Sequence, residues 1–337
     1  MWYNLTTYLL SGHYLLVIFF MGLFSHEHSY LGVDIGTSGV KVVQLRNNGG
    51  QANLETYGYV DMSVDLSRTT SPEIKAKVVS ALTKIQQTAR LTSHKAVAAL
   101  PTFSVFNSII NLPAMNLKDV PQAVKWEAKK YVPLPLEEMI LDWKILETKS
   151  QLLQLEGAST KSSFFGKSKE VSTAAKPAAP NNLNVLVTAA PKNLVNRYIE
   201  VFKAAHLELL SLETEAFALA RSLLGGEKNA VLIVDIGSLN TDLCVIEKGV
   251  FILNRSLDIG GSAITQAIAQ SLNITVDPGG SAFLPNLVNY LNELFNIPVI
   301  IGNPWHKVAY QEELKFVLEE IGSRFAVSIG LALRDIH

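Results

Sequence analysis

Short apolar runs of strand length alternate with stretches of helical period along most of the chain. Residues 40–46 and 53–60 read as strands joined by the turn Asn47-Asn48-Gly49-Gly50. Ser71-Pro72-Glu73 opens a helix to about residue 91, with Ile74, Val78, Val79, Leu82 and Ile85 on one face. Strands are expected at 95–100, 105–112, 139–147, 184–191, 209–213, 251–257 and 297–301. Helices are expected at 117–131, from 191 to about 205, at 215–224 before Gly225-Gly226, from Gly260-Gly261-Ser262 to 272, and at 323–333. Residues 157–182 are Ser, Thr, Lys, Ala, Pro and Asn with little apolar content, and read as a flexible loop.

Two of the apolar runs break in the same way. Val33-Asp34-Ile35-Gly36-Thr37-Ser38-Gly39-Val40-Lys41 and Val234-Asp235-Ile236-Gly237-Ser238-Leu239-Asn240-Thr241-Asp242 both pass through Asp-Ile-Gly into small polar residues. Each then returns to an apolar run, so each predicts a strand, a tight turn and a strand. Glycine lets backbone N–H groups approach a phosphate, Ser and Thr add donors, and an Asp at the strand end can hold a hydrated cation. An isolated Asp-Ile-Gly is usually only a turn. Two copies, each opening one half of the chain, imply two facing lobes with a nucleotide between them.

Composition narrows the alternatives. With 48% hydrophobic residues in 337, the chain can bury a core for two domains or one bilobal domain. A formal net charge of -1 gives no electrostatic case for nucleic acid as the main partner. Cys244 is the only cysteine, which excludes disulfides within the chain and suits a reducing compartment. It lies in an apolar run and reads as a small strand residue. His94, His206 and His306 lack metal-ligand spacing, so no zinc is expected. Trp126 and Tyr131 share one predicted helix and read as packing residues. Residues 2–20 are apolar but lack the charged start and cleavage site of a signal peptide. Met21 then begins a plausible start, so residues 1–20 read as an over-extended start or tail, with a membrane anchor as the alternative.

Particular stretches resemble a known family. These are Leu31 to Leu45, Asn111-Leu112-Pro113-Ala114-Met115, Trp126 to Glu138, and Gly330-Leu331-Ala332-Leu333-Arg334. They are similar to PilM, the cytoplasmic actin-like protein of type IV pilus assembly, which is related to the cell-division protein FtsA. The resemblance runs from Met21 to Arg334, and Trp126 to Glu138 is its most specific part. It implies an α/β, actin-like (ribonuclease H-like) two-lobed fold with an inserted small α/β subdomain in lobe one. The expected division is an extension at 1–29, lobe one at 30–92 and 183–228, the inserted subdomain at 93–182, and lobe two at 229–337.

The same resemblance implies ATP and Mg²⁺ as cofactors. Asp34 and Asp235 would hold Mg²⁺ through its water shell; Gly36, Thr37 and Ser38 would cradle the β-phosphate; Gly237, Asn240 and Thr241 would face the γ-phosphate. Glu215 matches a water-orienting catalytic position, although an acid at a helix N-terminus has a simpler reading. Gly279 and Gly280 match the turn beneath adenosine, with Gly260-Gly261 as the competing pair. The implied partners are the N-terminal cytoplasmic tail of a PilN-like inner-membrane protein and other pilus platform proteins. The implied location is the cytoplasmic face of the inner membrane, reached through partners.

One departure stands out. Asn273-Ile274-Thr275 runs almost directly into Val276-Asp277-Pro278-Gly279-Gly280, where the family carries an outer subdomain of several dozen residues. Lobe two therefore reads as truncated, with one wall of the base pocket missing. The expectation is an adaptor with weakened or lost Mg-ATP binding and at most a weak ATPase activity. Apolar surface on residues 251–257, or on the helix at Ala263, should be exposed. The alternative is a nucleotide-binding ATPase of the FtsA-like division class.

Overall fold

The computed structural model describes residues 29–146, 182–227, 229–272 and 286–336. The expectations for residues 1–20, the loop that begins at 157 and the Gly279-Gly280 turn fall outside those residues. The chain divides into two compact units, one formed by the chain up to Ser104 together with Asn193 onward, the other by Val105–Lys192.

In the larger unit, β1 (Ser29–Gly36), β2 (Gly39–Asn48) and β3 (Gln51–Asp61) form an antiparallel meander. β4 (Lys95–Leu100) lies parallel to β1, and β8 (Glu208–Thr214) lies parallel to β4. β12 (Val308–Ala309) joins β3 at the far edge, giving the order β12-β3-β2-β1-β4-β8. β1 and β2 are buried along most of their length rather than at alternate positions, as strands covered on both faces must be. A second sheet, ordered β11-β10-β9, is the meander β9 (Val231–Ile236), β10 (Thr241–Glu247) and β11 (Val250–Leu257). The unit's helices are α1 (Pro72–Thr88), α3 (Lys192–Ala204), α4 (Glu215–Leu223), α5 (Gly261–Leu272), α6 (Leu287–Phe295) and α7 (Lys315–Ala332).

α7 ties the two meanders together because it belongs to two apolar cores. Leu318, Phe325 and Ile329 pack with Val43, Leu45 and Trp305. Val327 and Leu331 pack with Val97, Ala216 and Leu219, and with Ile233 and Cys244 of the second sheet. The fully buried carboxylate of Glu213 reinforces this join, with Arg221 at 2.9 Å and Arg334 at 2.8 Å. Arg334 ends the Gly330-to-Arg334 motif, so that motif has a structural role in fastening α7 to β8 and α4.

Three elements differ from the sequence expectation. Residues 297–301 are irregular, not a strand, because the Asn292 side chain takes both backbone groups of Val299: it accepts from the amide at 2.7 Å and donates to the carbonyl at 3.3 Å. β12 is only two residues long and has no sequence signature. α7 begins at Lys315, a full two turns before the expected start, and carries the exposed Phe316 and Val317. Ser323, where the helix was expected to begin, lies inside it.

The smaller unit is an antiparallel sheet ordered β5-β7-β6, from β5 (Phe106–Leu112), β6 (Met139–Ile145) and β7 (Leu183–Pro191). α2 (Val120–Ala128) covers one face, sending Val120, Val124 and Ala128 against Ile110, Leu112, Val185 and Val187. The unit runs later at both ends than the 93–182 expected, since β4 pairs within the six-stranded sheet and β7 is the central strand here. Among the described residues no helix is long and apolar enough to cross a membrane.

Candidate functional site

The ladder between β1 and β2 closes at Gly36 and Gly39, leaving Thr37 and Ser38 as the turn. Its carbonyls are occupied: the Val64 amide donates to Thr37 at 3.2 Å and the Met62 amide to Ser38 at 3.1 Å. The amides of Thr37 and Ser38 have no protein acceptor among the described residues. The second turn repeats this device. β9 and β10 close at Ile236 and Thr241, and the Gly261 and Ser262 amides at the start of α5 donate to the carbonyls of Gly237 and Ser238 at 2.8 and 3.0 Å. The amides of Gly237, Ser238, Leu239 and Asn240 likewise have no protein acceptor among the described residues. A turn whose carbonyls are held from outside and whose amides stay open is an anion-binding concavity.

Gly260 makes the second turn possible. A Cβ there would lie 2.5 Å from the Ser238 carbonyl oxygen and 2.6 Å from the Leu239 carbonyl carbon. The Gly260-Gly261 pair thus seats α5 beneath the turn. Asn240 and Thr241, expected to face the γ-phosphate, use their side chains elsewhere: Asn240 donates to Asp258 at 2.8 Å and Thr241 to the Ile259 carbonyl at 2.6 Å. What Asn240 has left to offer an anion is its backbone amide. Arg68 also reaches Asp258, at 3.3 Å.

Charged groups gather between the turns. Asp34, 6% exposed, pairs with Lys41 at 3.0 Å. Burial would lower the Lys41 pKa, but Asp34 beside it, with Asp235 and Glu215, outweighs burial and raises it. Burial, then Asp242 and Asp34, push the Asp235 carboxyl up to about 6. Burial also raises Asp242, whose Oδ1 is enclosed with no hydrogen-bond partner among the described residues. Glu215, the first residue of α4, accepts from the Thr102 amide at 3.0 Å and from its hydroxyl at 3.3 Å. Burial, and then Asp34 and Asp242, drive its pKa well above the usual carboxylate range despite the Thr102 amide. Glu215 is therefore both the acid at a helix start and a member of this cluster.

Lys41 thus acts on three of these carboxylates, Asp34, Asp235 and Glu215, while Asp242 faces Asp235 and Glu215. Sequence reasoning missed Lys41, Asp242 and Thr102 as site residues. A signal existed for the first two: Asp34 pairs across its hairpin with Lys41, and Asp235 pairs across its own with Asp242. The two hairpins are alike in register and opposite in the charge of the cross-strand partner. Cys244 is buried, and burial followed by Asp242 pushes its thiol up to about 12, so it is inert as a nucleophile. Gly279 and Gly280 lie outside the described residues.

Paired hairpins on two sheets, joined by helices that share their cores, define a protein of the actin-like ATPase fold. The family model described as type IV pilus assembly protein PilM matches residues 32–154 and 171–278, more than half of the chain. The chain belongs to the type IV pilus assembly protein PilM family. A solved structure titled PilM-PilN type IV pilus biogenesis complex superposes with a TM-score of 0.72 at 23% identity, covering 91% of this chain and 98% of that one. The cell division protein FtsA of Staphylococcus epidermidis is 23% identical over 258 residues, 74% of this chain. The chain spans about half, 53%, of the length of that relative.

Proposed function

We propose that this chain is an actin-like adaptor of the type IV pilus inner-membrane assembly platform, acting at the cytoplasmic face and binding the cytoplasmic tail of a PilN-type membrane protein. The observation that carries this reading is the likeness, over nearly all of its length, to a chain solved in a PilM-PilN complex. Other pilus platform proteins are further partners in this reading. An extended peptide seating a few apolar side chains is the expected binding mode.

The phosphate clamp fits a nucleotide. Open amides at Thr37 and Ser38, and at Gly237 through Asn240, would hold phosphate oxygens, with Gly36 and Gly237 allowing close approach. Mg²⁺, when bound, would neutralise phosphate charge. Among the described residues no three His, Cys, Asp or Glu side chains are arranged to hold a metal directly, which suits an ion held by Asp34 and Asp235 through water. In this reading Glu215, held by Thr102, would orient a water, and its raised pKa would let it carry a proton there.

The charge balance supports weakened affinity. Among the described residues Lys41 acts on Asp34, Asp235 and Glu215, Asp242 lies beside the last two, and each carboxylate left ionised would oppose incoming phosphate. A second reading, an ATPase of the FtsA-like class, is favoured by Glu215 being held in place by Thr102. Calorimetric titration with a PilN-type N-terminal peptide, with and without Mg-ATP, separates the two. Peptide binding with weak or absent Mg-ATP binding is expected. No peptide binding in either condition overturns the adaptor reading, and micromolar Mg-ATP with turnover favours the ATPase.

A further inference from the structure

One side chain links the two turns. The segment that follows β3 is strapped to turn one, since the Met62 and Val64 amides donate to the carbonyls of Ser38 and Thr37. Asp65 tightens the end of this segment, accepting from the Ser67 and Arg68 amides at 3.0 and 3.1 Å. Arg197 of α3 holds it with a 2.6 Å bond to the Ser67 carbonyl. Arg68 then reaches to Asp258 on the side of turn two. The Oδ1 atom of Asp258 that takes Arg68 also takes the Asn240 side chain at 2.8 Å, and Thr241 binds the neighbouring Ile259 carbonyl. The Arg68 guanidinium therefore sits beside Asn240 of turn two, while its backbone is anchored to turn one. Its central carbon lies 4.7 Å from the centroid of the Phe103 ring, and its Nε is 3.5 Å from Asp65.

We propose that Arg68 is the residue by which the clamp selects a terminal phosphate. Without an anion it is latched on Asp258, and a nucleoside triphosphate draws it onto the γ-phosphate beside Asn240. The assignment rests on the reading of the two turns as a phosphate clamp. Asp258 is 85% exposed and Arg68 52%, so their pair is screened by water and weak. Asp258 stays hydrated when the guanidinium leaves, which keeps the cost of release small. A phosphate carries more charge than one carboxylate and presents paired oxygens to the guanidinium fork. Phe103 lies under the face of the guanidinium, so the N–H groups at its edge can change partners while that support remains. Lys41, by contrast, is committed to the buried Asp34 and has no comparable exchange to make. The latch also adds to the weakening of nucleotide affinity, because an incoming phosphate must compete with Asp258 for Arg68.

Titration of the full chain with Mg-ATP and, separately, Mg-ADP, followed by phosphorus NMR into the millimolar range, tests this. Arg68→Ala should weaken Mg-ATP binding about ten-fold, with unchanged circular dichroism. Mg-ADP, which lacks the terminal phosphate, should change by about two-fold at most. Asp258→Asn should tighten Mg-ATP binding by up to about five-fold, because it releases the guanidinium. That gain should vanish in the double variant Arg68→Ala/Asp258→Asn, where no guanidinium remains to be released. Equal tightening with and without Arg68 would make Asp258 a repelling charge only and overturn the latch. An unchanged Mg-ATP affinity in Arg68→Ala, or an equal loss for Mg-ADP, overturns the proposal and leaves the clamp standing. Absence of Mg-ATP binding by both the parent protein and Asp258→Asn removes the clamp reading itself, and this proposal with it.

Discussion

Gly330→Ala is expected to destabilise the protein, against the direction that helix propensity gives. Gly330 lies inside α7, where alanine is better than glycine by about 1 kcal/mol. A Cβ at Gly330, however, would sit 1.9 Å from the Ala218 carbonyl oxygen of α4 and 2.5 Å from its carbonyl carbon. Contact distances between such atoms begin near 3.5 Å, so α4 and α7 must part by about 1 Å or more. The obstructing atoms are backbone, so no side chain can turn aside. Ala218 and Leu331 at this crossing are fully buried, and separation forfeits their contacts along with the 2.6 Å bond that Arg221 donates to the Gly330 carbonyl. Overpacking of this kind costs about 1–3 kcal/mol, and a rigid obstacle places it at the upper end. After the propensity gain, a net loss of about 2 kcal/mol remains, a fall of roughly 4–8 °C in Tm for a unit of this size. Thermal unfolding followed by circular dichroism measures it. A Tm equal to or above that of the parent protein would refute the reasoning.

Two further perturbations probe the charge cluster. Asp235 has a folded-state pKa raised from 3.8 to about 6, so the cost of ionising it is absent below 3.8, grows with pH, and is complete above about 6. Asp235→Asn should therefore raise stability above that window and leave it unchanged below. The ceiling is about 3 kcal/mol, and water reaching the partly exposed side chain reduces it to about 1 kcal/mol. Denaturant midpoints measured across the window decide the matter, and a uniform shift at every pH would count against it. Lys41→Met leaves the buried Asp34 carboxylate without its partner and should cost about 3 kcal/mol, most of it recovered in the double variant with Asp34→Asn. Absence of that recovery in urea unfolding would show that the pair does not act as one unit.

The expectation of exposed apolar surface on lobe two is met at β11, where Ile252, Leu253 and Leu257 are 55%, 41% and 46% exposed. The packing expectation for Trp126 and Tyr131, which are 65% and 50% exposed, failed because helical spacing shows which residues share a face but not which face finds a neighbour. The strand expected at 297–301 failed for a related reason: its apolar run fits a strand, yet Asn292 offered Val299 its hydrogen bonds first.

By itself the sequence determined the two hairpins, their turns and the family, because Asp-Ile-Gly between apolar runs is a local instruction that needs only its own neighbours. Tertiary structure decided what the hairpins can do. Open amides exist only because distant groups, from Met62 and Val64 at one turn and Gly261 and Ser262 at the other, occupy the turn carbonyls. Asp34, Asp235 and Glu215 meet at Lys41, with Asp242 beside Asp235 and Glu215, across two sheets that α7 joins through a core shared with each. Those are long-range contacts, and burial, which raises three of these acids, is a property of the assembled unit rather than of any residue within it.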